Sequence, residues 1–483
     1  LSYIGRLNYS YADKYLFEFL LRSDASTKFA PSNYWGMFPS WSAGWVISDE
    51  KWFDKDKTKI DFLKIRGSFG ILGKDNVNAW LWTQLYTRNP DKGPIFGTNS
   101  STNTSATIRM PKQGVNPDVH WDKTYKTNFG IDMAFLKNRM SANLDFYYDM
   151  GREMFASHQG TSYYPNTVGI QPAPENFGEV DTYGVELSLG WKDKIGKDMS
   201  YWVKLTTGYN DNKIRETGWK AAYDFDKLVR NERSDRGLWG YECIGMFRSY
   251  QEINEYFDKY SITKYLGNTK ENVHPGMLIY KDVRGQYDES TGTFGPADGI
   301  VDEQDYIKIS HRASNPYGGT LNFGFSYKDF SISAQFGASW GAYSLVPTTM
   351  RKESYSEYSN VSAMWKDMFV YEDIYDANNI VTVAQNRNAK YPNIRYSSVN
   401  GAPSTFWKVS AATVQLRNMT VAYALPKEWL KIIGISSCRF NLTCQNVFNF
   451  LNPYPEGAWA SWAGSYGYYP NLRKFTLGVN VSF

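Results

Sequence analysis

The chain has 483 residues and a mass of 55.5 kDa, too long for one ordinary hydrophobic core, which indicates several domains or one large barrel. A net charge of +4, from 53 basic and 49 acidic residues, argues against a nucleic-acid partner. No stretch reaches the roughly 18 consecutive apolar residues of a membrane-spanning helix, so the sequence leaves strands as the means of crossing a membrane.

Alternation of apolar and polar residues between turn signals predicts about thirteen strands along the chain. They lie near 1–12, 15–25, 36–48, 61–72, 121–136, 139–150, 176–191, 199–211, 315–328, 330–341, 405–423, 435–448 and 471–483. Many are about eleven to sixteen residues long, whereas an ordinary strand has about five or six. Strands of this length suit a bilayer, because about 9 to 11 tilted residues span its hydrocarbon.

The last strand shows the pattern most clearly, since it alternates up to the final residue. Its apolar positions are Phe475, Leu477, Val479, Val481 and Phe483, and small or polar residues separate them. One face of this strand is therefore apolar and the other is polar. We expect an apolar environment to cover the apolar face. Aromatic residues make up 17% of the chain, which is typical of surfaces that meet both water and an apolar phase.

The connections between the predicted strands differ systematically in length. Every second one is short and polar, such as Asp13-Lys14, Lys137-Asn138 and Lys328-Asp329. Most of the intervening ones are long: 73–120, 151–175, 212–314, 342–404 and 449–470. Short periplasmic turns and long extracellular loops are typical of an outer-membrane barrel. A soluble β-sandwich or propeller also alternates, but strand length, loop asymmetry and the terminal aromatic residue argue against both.

The strand count has a consequence for closure of the barrel. Thirteen is odd, whereas bacterial single-chain barrels have even strand numbers. An open edge in lipid would leave backbone groups unpaired, at several kcal/mol for each group. We therefore expect the chain to be the C-terminal part of a larger barrel.

Several segments, in order, resemble one family. They are YIGRLNYSYADKYLFEFLLRSDASTKF, GMFPSWSAGWVISDEKWF, FLKIRGSFGILGKDN, WDKTYKTNFGIDMAFLKNRMSANLDFYY, VQLRNMTVAYALPKEW, CQNVFNF and the terminal strand. This series is similar to the SusC/RagA-like TonB-dependent transporters of Bacteroidetes outer membranes. Two departures are modest: an Arg-Asp-Gly-Ser run appears as RSDAS at 22–26, and a Gly-Asn pair is separated by Lys74 and Asp75.

The resemblance implies an all-β fold, a transmembrane antiparallel β-barrel of roughly 22 strands around a plugged lumen. Residues 1–483 would be the C-terminal portion of this one barrel domain, with about 13 of its strands. Its large extracellular loops would lie at about 73–120, 212–314 and 342–404. The plug, the TonB box and the N-terminal strands are expected outside this chain.

The resemblance also implies a function and partners. The expected activity is TonB-dependent import of oligosaccharides or peptides across the outer membrane, in a multi-pass protein surrounded by outer-membrane lipid. A SusD-like surface lipoprotein would act as a lid, and TonB with ExbB and ExbD would act through the missing N-terminal part. The alternative is a passive or structural barrel, such as an adhesin or a secretion anchor. No catalytic signature stands in a convincing context, so an enzyme is not expected.

The longest loop contains an acidic stretch, KDVRGQYDESTGTFGPADGIVDEQDY, where the family often carries a loop resembling the EF-hand and dockerin pattern. Four aspartates match ligand positions of that pattern: Asp282, Asp298, Asp302 and Asp305. Arg284 stands where a third oxygen is expected, and residues 286–297 are inserted. The two interpretations are a structural Ca²⁺ in the 282–305 loop and a solvated acidic turn with capping aspartates. No other cofactor is expected.

Two loops carry aromatic residues that suit substrate binding. Flat aromatic rings stack on the apolar faces of sugar rings, and small neighbours leave room for a ligand. The candidates are Trp239 and Tyr241 in one loop and Trp459, Trp462 and Tyr466 in the other. Packing of each loop on itself and an aromatic girdle at the outer interface are the competing interpretations.

The polar residues opposite the apolar faces are expected to line the lumen. They include Asn143, Asp145, Glu186, Gln335, Arg439, Asn441 and Gln445. A wide, wet interior needs polar walls whatever it transports. The three cysteines, Cys243, Cys438 and Cys444, show neither disulfide nor zinc spacing, and Cys438 and Cys444 are expected to act as small apolar residues on one strand.

Overall fold

The structure is a computed structural model. It describes residues 1–89, 107–109, 114–156, 167, 172–217, 230–288, 290–351, 362–432, 434–451, 454 and 472–483. Among these residues, none of the helices has the length and apolarity needed to cross a bilayer.

Thirteen strands form one sheet in which chain neighbours are also sheet neighbours. They are β1 (Ser2–Tyr11), β2 (Tyr15–Ala25), β3 (Trp35–Val46), β4 (Ile60–Lys74), β5 (Asp122–Phe135), β6 (Met140–Ala156), β7 (Glu175–Ile195), β8 (Met199–Glu216), β9 (Tyr317–Tyr327), β10 (Phe330–Trp340), β11 (Thr413–Ala424), β12 (Ser437–Asn449) and β13 (Lys474–Ser482). The all-β fold and the thirteen strands of the sequence prediction are confirmed.

Several predicted boundaries are wrong: β6, β7 and β8 continue to Ala156, Ile195 and Glu216, past their predicted ends at 150, 191 and 211, and one strand begins later than predicted. The sequence predicts a strand from 405 to 423, but β11 begins at Thr413. The preceding residues form a short 3-10 turn, Thr405–Trp407, and a short strand, Lys408–Ser410, that pairs with Tyr343–Leu345 outside the main sheet. The apolar alternation continues through this segment because its side chains also enter a hydrophobic core, so alternation alone could not separate the two strands.

The short connections are tight turns that need left-handed backbone. Ala12 and Asp13 have φ of 52° and 55° between β1 and β2, and Lys328 has φ of 50° between β9 and β10. Polar residues tolerate this conformation better than bulky apolar ones, and turns with positive φ match the twist of paired strands. These connections are therefore polar because their two to four residues must adopt a tight turn with left-handed backbone.

The chain divides into two compact units whose residues contact mainly one another. The first comprises residues 1–193 and 204–234, and the second comprises residues 194–203 and 235–483. In the first unit, the register of the strands aligns side chains of the same kind on each face of the sheet. Leu7 pairs with Phe19, Phe19 with Trp41, and Trp41 with Phe69. We call the side of the sheet that carries this row the apolar face. Many of its large side chains are exposed to the surroundings.

Aromatic residues occupy both ends of the apolar face of β1 to β3. Tyr3 stacks on Trp35 at one end, with 5.7 Å between ring centroids, and Tyr15 stacks on Trp45 at the other, at 6.5 Å. Tyr3 and Tyr11 are eight residues apart on β1, or about 26 Å along the strand at roughly 3.3 Å per residue. An apolar band of about 25 Å between two aromatic girdles is the outer surface of a transmembrane barrel.

Charged residues appear directly beyond the aromatic residues on β6 and β7. Tyr148 stacks on Tyr183, and the Tyr148 hydroxyl donates to Asp181 at 2.7 Å. Asp181 also contacts Arg152 at 2.7 Å and Arg215 at 2.6 Å, and only 1% of it is exposed. The change from apolar residues to a charged cluster marks the end of the apolar band on these strands.

In the second unit, the described residues of 238–310 and 343–410 fold together around a hydrophobic core, and we call them the loop domain. Its helices are α2 (Tyr250–Tyr260), α3 (Thr348–Arg351) and α4 (Ser397–Asn400); α1 (Lys55–Thr58) and α5 (Lys427–Lys431) lie elsewhere. Its short strands are Leu238–Gly240, Cys243–Met246, Lys264–Tyr265, Leu278–Tyr280, Tyr287–Asp288, Thr293–Phe294, Ile300–Val301, Ile307–Ser310, Tyr343–Leu345, Ile374–Tyr375, Val381–Val383 and Lys408–Ser410.

The longest helix of the loop domain, α2, is explained by its local sequence. Ser249 caps its N-terminus by accepting from the Glu252 amide at 3.2 Å. Ile253, Tyr256 and Phe257 follow helical spacing and are buried in the core. The two predicted long loops, 212–314 and 342–404, therefore contribute to one folded domain.

Asn400 connects three segments inside this domain and is completely buried. Its side-chain oxygen accepts from the Leu278 amide at 2.8 Å, and its Nδ2 donates to the carbonyls of Gly276 and Asn393 at 3.0 and 2.7 Å. Its own carbonyl accepts from Trp407 Nε1 at 2.6 Å. One amide side chain thus satisfies backbone groups that would otherwise be buried without partners.

We expect Asn400→Asp to unfold the loop domain locally. The carboxylate would face two carbonyl oxygens and would lose both donors, at a cost of about 3 to 5 kcal/mol for a buried charge left unpaired. Hydrogen exchange of the amides in 276–281 should accelerate strongly. Asn378→Asp, on an exposed turn, makes the same chemical change and should leave this exchange unaltered; equal acceleration in both variants would contradict the role assigned to Asn400.

Candidate functional site

The opposite side of the sheet in the first unit carries a continuous polar row, and we call it the polar face. Asn8 pairs with Glu18, Glu18 with Ser42, Ser42 with Ser68, and Ser68 with Asn128. Because side chains alternate along a strand, these residues all point away from the apolar face. The sequence pattern of one apolar and one polar face is thus realised across neighbouring strands.

Arg66 of β4 is the centre of the polar face. Its Nε lies 3.1 Å from Asp132 Oδ2, and its two terminal nitrogens lie 2.8 Å from the two carboxylate oxygens of Asp145. A third acceptor, Asn128 Oδ1, is 3.2 Å away, and Asn143 Nδ2 donates to Asp132 at 2.8 Å. The planar guanidinium suits two carboxylates at once, so this network links β4, β5 and β6.

Gly130 makes the reach from Arg66 to Asp145 possible. Gly130 lies directly opposite Arg66 on β5, and Asp145 lies opposite Gly130 on β6. A Cβ on Gly130 would stand 2.5 Å from Arg66 Cζ and 2.6 Å from its Nη1. The guanidinium therefore lies flat over the glycine backbone, in space that any other residue would occupy.

Two concave regions lie on the polar face, with volumes of about 530 and 510 Å³. Both are lined by Glu18, Ser42, Ser68 and Asn128. The first also includes Lys64 and Arg66, and the second includes Lys126, Tyr147, Asp149 and Glu186. Each volume is within the range that holds a small ligand.

Hydroxyls, amides and ion pairs line these regions, and much of their charge is paired. Arg6 contacts Glu18, and Lys126 contacts Asp149 at 2.7 Å. A surface of this kind offers both donors and acceptors without a strong field of one sign. It suits a neutral or zwitterionic polar molecule better than a multiply charged one.

The acidic loop of the loop domain is held together by its own backbone. Asp305, completely buried, accepts from the amides of Val283, Arg284 and Asp302 at 2.7, 3.1 and 2.9 Å. Asp282 accepts from the Gly299 amide at 2.7 Å. Burial raises the pKa of both Asp282 and Asp305, and the backbone donors oppose this shift.

Arg284 occupies the inside of the same loop. Its Nε donates to the Gln304 carbonyl at 2.7 Å, and another guanidinium nitrogen donates to the Tyr306 carbonyl. Its Cζ lies 3.8 Å from the centroid of the Phe294 ring. Within the described ranges, no group of three or more His, Cys, Asp or Glu side chains could hold a metal ion. The four predicted ligands thus serve a hydrogen-bonded turn, and Ca²⁺ binding stays a prediction.

The chain resembles several known proteins over its entire length. It is 24% identical over 518 residues to TonB-dependent receptor P39 of Formosa agariphila and 26% identical over 501 residues to TonB-dependent receptor SusC of Bacteroides thetaiotaomicron. Both alignments include the whole of this chain. They cover 46% of the length of P39 and 43% of the length of SusC. The chain therefore spans about half the length of the curated relatives it matches. No protein-family model matches it.

Solved structures give the same result for the fold. The RagAB peptide transporter matches with a TM-score of 0.70 at 19% identity, covering the whole chain and 47% of that protein. The RagAB peptide importer in its open-open state matches with a TM-score of 0.69 at 18% identity, covering the whole chain and 46% of that protein. The chain is thus similar to SusC in sequence and to RagA in fold. The predictions of this resemblance, of a barrel part and of an outer-membrane location are confirmed.

Three of the predicted lumen residues can be placed on the polar face, and their lining of a lumen stays a prediction. Asn143, Asp145 and Glu186 lie on the polar face of the first unit. In the second unit, Gln335 accepts from Asn418 at 2.8 Å and Arg439 donates to Ser331 at 2.9 Å. Arg66 is not among the predicted site residues, although its place with Lys64 and Ser68 on the polar side of an alternating strand was the available signal.

The predicted aromatic binding residues differ in burial, and some lie outside the described residues. Tyr241 is buried in the core of the loop domain, where it stacks on Tyr280 with 4.7 Å between centroids, so its burial does not support contact with a ligand from solvent. Trp239 is partly buried, and its Nε1 donates to the Arg236 carbonyl at 3.2 Å. Trp459, Trp462 and Tyr466 lie outside the described residues.

We expect Gly130→Ala to displace Arg66 from Asp145. The new Cβ would overlap the guanidinium, and the flexible side chain would move while the strands stay paired. The loss of charge-assisted hydrogen bonds should lower the free energy of unfolding by about 1 to 2 kcal/mol. A urea titration of the refolded protein, with a structure of the variant, measures both effects.

Gly67→Ala is the matched control for Gly130→Ala, because it lies on the apolar face, where the nearest atom to a new Cβ is a carbonyl oxygen 3.9 Å away. It should leave the stability and the Arg66 network unchanged. If Arg66 kept its contacts to Asp145 in Gly130→Ala, the role assigned to Gly130 would be incorrect.

We also expect Asp305→Ala to open the acidic loop. Three backbone amides would lose their acceptor at once, at about 1 to 3 kcal/mol for a buried group left unsatisfied. The amides of Val283 and Arg284 should exchange faster by at least tenfold. Asp288→Ala, which removes an exposed cap on Ser290, should leave those two amides unaffected; protection unchanged in Asp305→Ala would show that another group holds the loop.

Proposed function

We propose that this chain forms the C-terminal part of an outer-membrane barrel that imports oligosaccharides or peptides with energy delivered through TonB. The observation that carries the proposal is the two-faced sheet, in which an apolar face with aromatic ends lies opposite a polar face with paired charges. The names of the curated relatives, TonB-dependent receptors, support the same activity. The polar face would line the lumen of the complete barrel.

The proposed cargo follows from the chemistry of the polar face. Hydroxyl and amide side chains with paired charges can exchange hydrogen bonds with either a sugar or a peptide backbone. The similarity to the RagAB peptide transporter supports peptides, and the similarity to SusC supports the wider family of receptors. The barrel would carry out no covalent chemistry.

The proposed partners are a SusD-like surface lipoprotein, acting as a lid, and TonB with ExbB and ExbD. The loop domain is a folded surface of the kind that a lid protein could dock on, and TonB would act through a part of the protein that precedes this chain. Asn400→Asp offers a test of the first contact. Undiminished recovery of the lipoprotein with that variant, once its loop domain is shown to be open, would exclude the loop domain as the dock.

Uptake by intact cells tests the proposed function. Cells that carry the complete protein should accumulate a fluorescent oligosaccharide or oligopeptide from the medium, and deletion of the gene should abolish the accumulation. A protonophore should abolish it as well, because TonB draws on the proton gradient. A passive pore would still equilibrate the label under the protonophore, and an adhesin would bind it at the surface without accumulation; either result would contradict active import.

A further inference from the structure

Two arginines, on β6 and β8, share one buried carboxylate of β7. Arg152 Nη1 lies 2.7 Å from Asp181 Oδ1, and Arg215 Nε lies 2.6 Å from Asp181 Oδ2. The Tyr148 hydroxyl donates to the same carboxylate at 2.7 Å. Only 2% of the Asp181 side chain is exposed, against 26% of Arg152 and 35% of Arg215. The carboxylate is therefore hidden, and the guanidinium groups form the outer surface of this cluster.

The pairing register places the cluster on the apolar face of the sheet. Phe69 of that face pairs with Thr127, Thr127 with Tyr148, and Tyr148 with Tyr183. Asp181 is two residues from Tyr183, so both side chains point to the same side of the sheet. The guanidinium groups therefore lie on the side that faces lipid, immediately beyond the tyrosines that end the apolar band.

The position of the cluster along the strands decides which side of the membrane it meets. Arg152 lies four residues before the end of β6, Asp181 lies six residues after the start of β7, and Arg215 is the last residue but one of β8. These are the strand ends that lead to long connections. In outer-membrane barrels the long connections are extracellular, so this end of the apolar band meets the outer leaflet.

Lys213 adds a third cation on β8. It is exposed, it points to the same side as Arg215 because side chains alternate, and it forms no ion pair among the described residues. Two carboxylates accompany Asp181: Glu179 lies 3.7 Å from Arg152, and Asp211 accepts from a tyrosine hydroxyl at 2.9 Å. The cations and carboxylates are thus nearly balanced in number, which favours a ligand with a single phosphate over a polyanion.

We propose that Arg152, Arg215 and Lys213 bind the phosphate head group of a membrane lipid in the outer leaflet. A planar guanidinium group can donate to two phosphate oxygens at once, and it stays charged near lipid. Asp181 holds both guanidinium groups in place before the lipid arrives, which reduces the ordering cost of binding. The acyl chains of the lipid would lie on the adjoining apolar face. The site does not rest on the import function, because any barrel in this membrane meets the same lipid.

A free anion and a purely structural cluster are the alternatives. Inorganic phosphate can reach exposed donors from water, and Asp181 can require two arginines only to compensate its own burial. A lipid differs from both, because its affinity depends on the phosphate and on the acyl chains together. Two lipids that differ only in the phosphate, and inorganic phosphate as a competitor, therefore separate the three cases.

Native mass spectrometry of the complete protein, released from detergent micelles, tests the site without any variant. Dioleoylphosphatidic acid and dioleoylglycerol have the same acyl chains and differ in the phosphate. The phosphatidic acid should bind with a dissociation constant at least fivefold lower, the effect of roughly one charge near a membrane surface. A tenfold excess of inorganic phosphate should not displace it. Equal affinity for the two lipids, or displacement by inorganic phosphate, would overturn the proposal.

Single variants assign the bound lipid to this cluster. Arg215→Gln and Lys213→Gln each remove one charge, leave Asp181 paired with Arg152, and should raise the dissociation constant for phosphatidic acid about fivefold. Arg139→Gln is the matched control, because Arg139 is an exposed arginine paired with a carboxylate at 2.9 Å at the opposite end of β6. It should leave the constant unchanged. A constant that neither β8 variant raises, or that the control raises equally, would contradict the proposed site and leave the arginines a structural role alone.

Discussion

The pairing register of the strands is the constraint on which the rest of the molecule depends. Side chains alternate with a period of two, so a slip of one residue between neighbours would move every apolar side chain to the polar face. The observed register keeps Leu7, Phe19, Trp41 and Phe69 on one side and Ser42, Ser68 and Asn128 on the other. In a bilayer the paired strands also supply each other's backbone hydrogen bonds, which lipid cannot do.

The polar face depends on small residues as much as on charged ones. Arg66 reaches Asp145 only because Gly130, on the strand between them, has no side chain in the way. Serines on β3 and β4 likewise leave room for the concave regions beside Glu18. Side-chain volume, rather than charge alone, therefore decides where this wall can be approached. The same small residues would weaken an ordinary strand, and extensive pairing with both neighbours compensates for them.

The loop domain differs from the two-faced sheet because it folds around a buried hydrophobic core. Its stability relies on buried polar groups whose partners are distant in sequence, such as Asn400 with Gly276 and Asp305 with Val283. Each of these groups costs free energy unless its partner is in place, so the segments fold together or not at all. Arg351 belongs to the same class, since its buried guanidinium donates to the Gly401 carbonyl.

The sequence by itself determined the local features of this protein: thirteen long alternating strands, tight polar turns at residues such as Asp13 and Lys328, and unpaired cysteines. These follow from neighbouring residues, because strand alternation and turn backbone are set within a few positions. Two of the cysteines, Cys438 and Cys444, are indeed buried and free.

Only the tertiary structure decided which distant residues meet. Arg66 and Asp145 are 79 positions apart, and nothing local to either predicts their contact or the glycine between them. The alternation of apolar and polar residues also did not predict that residues 405–410 belong to the loop domain rather than to the sheet. It did not predict the burial of Tyr241 in that domain either. Register and packing set these contacts, and both depend on the free energy of the whole fold rather than on any one segment.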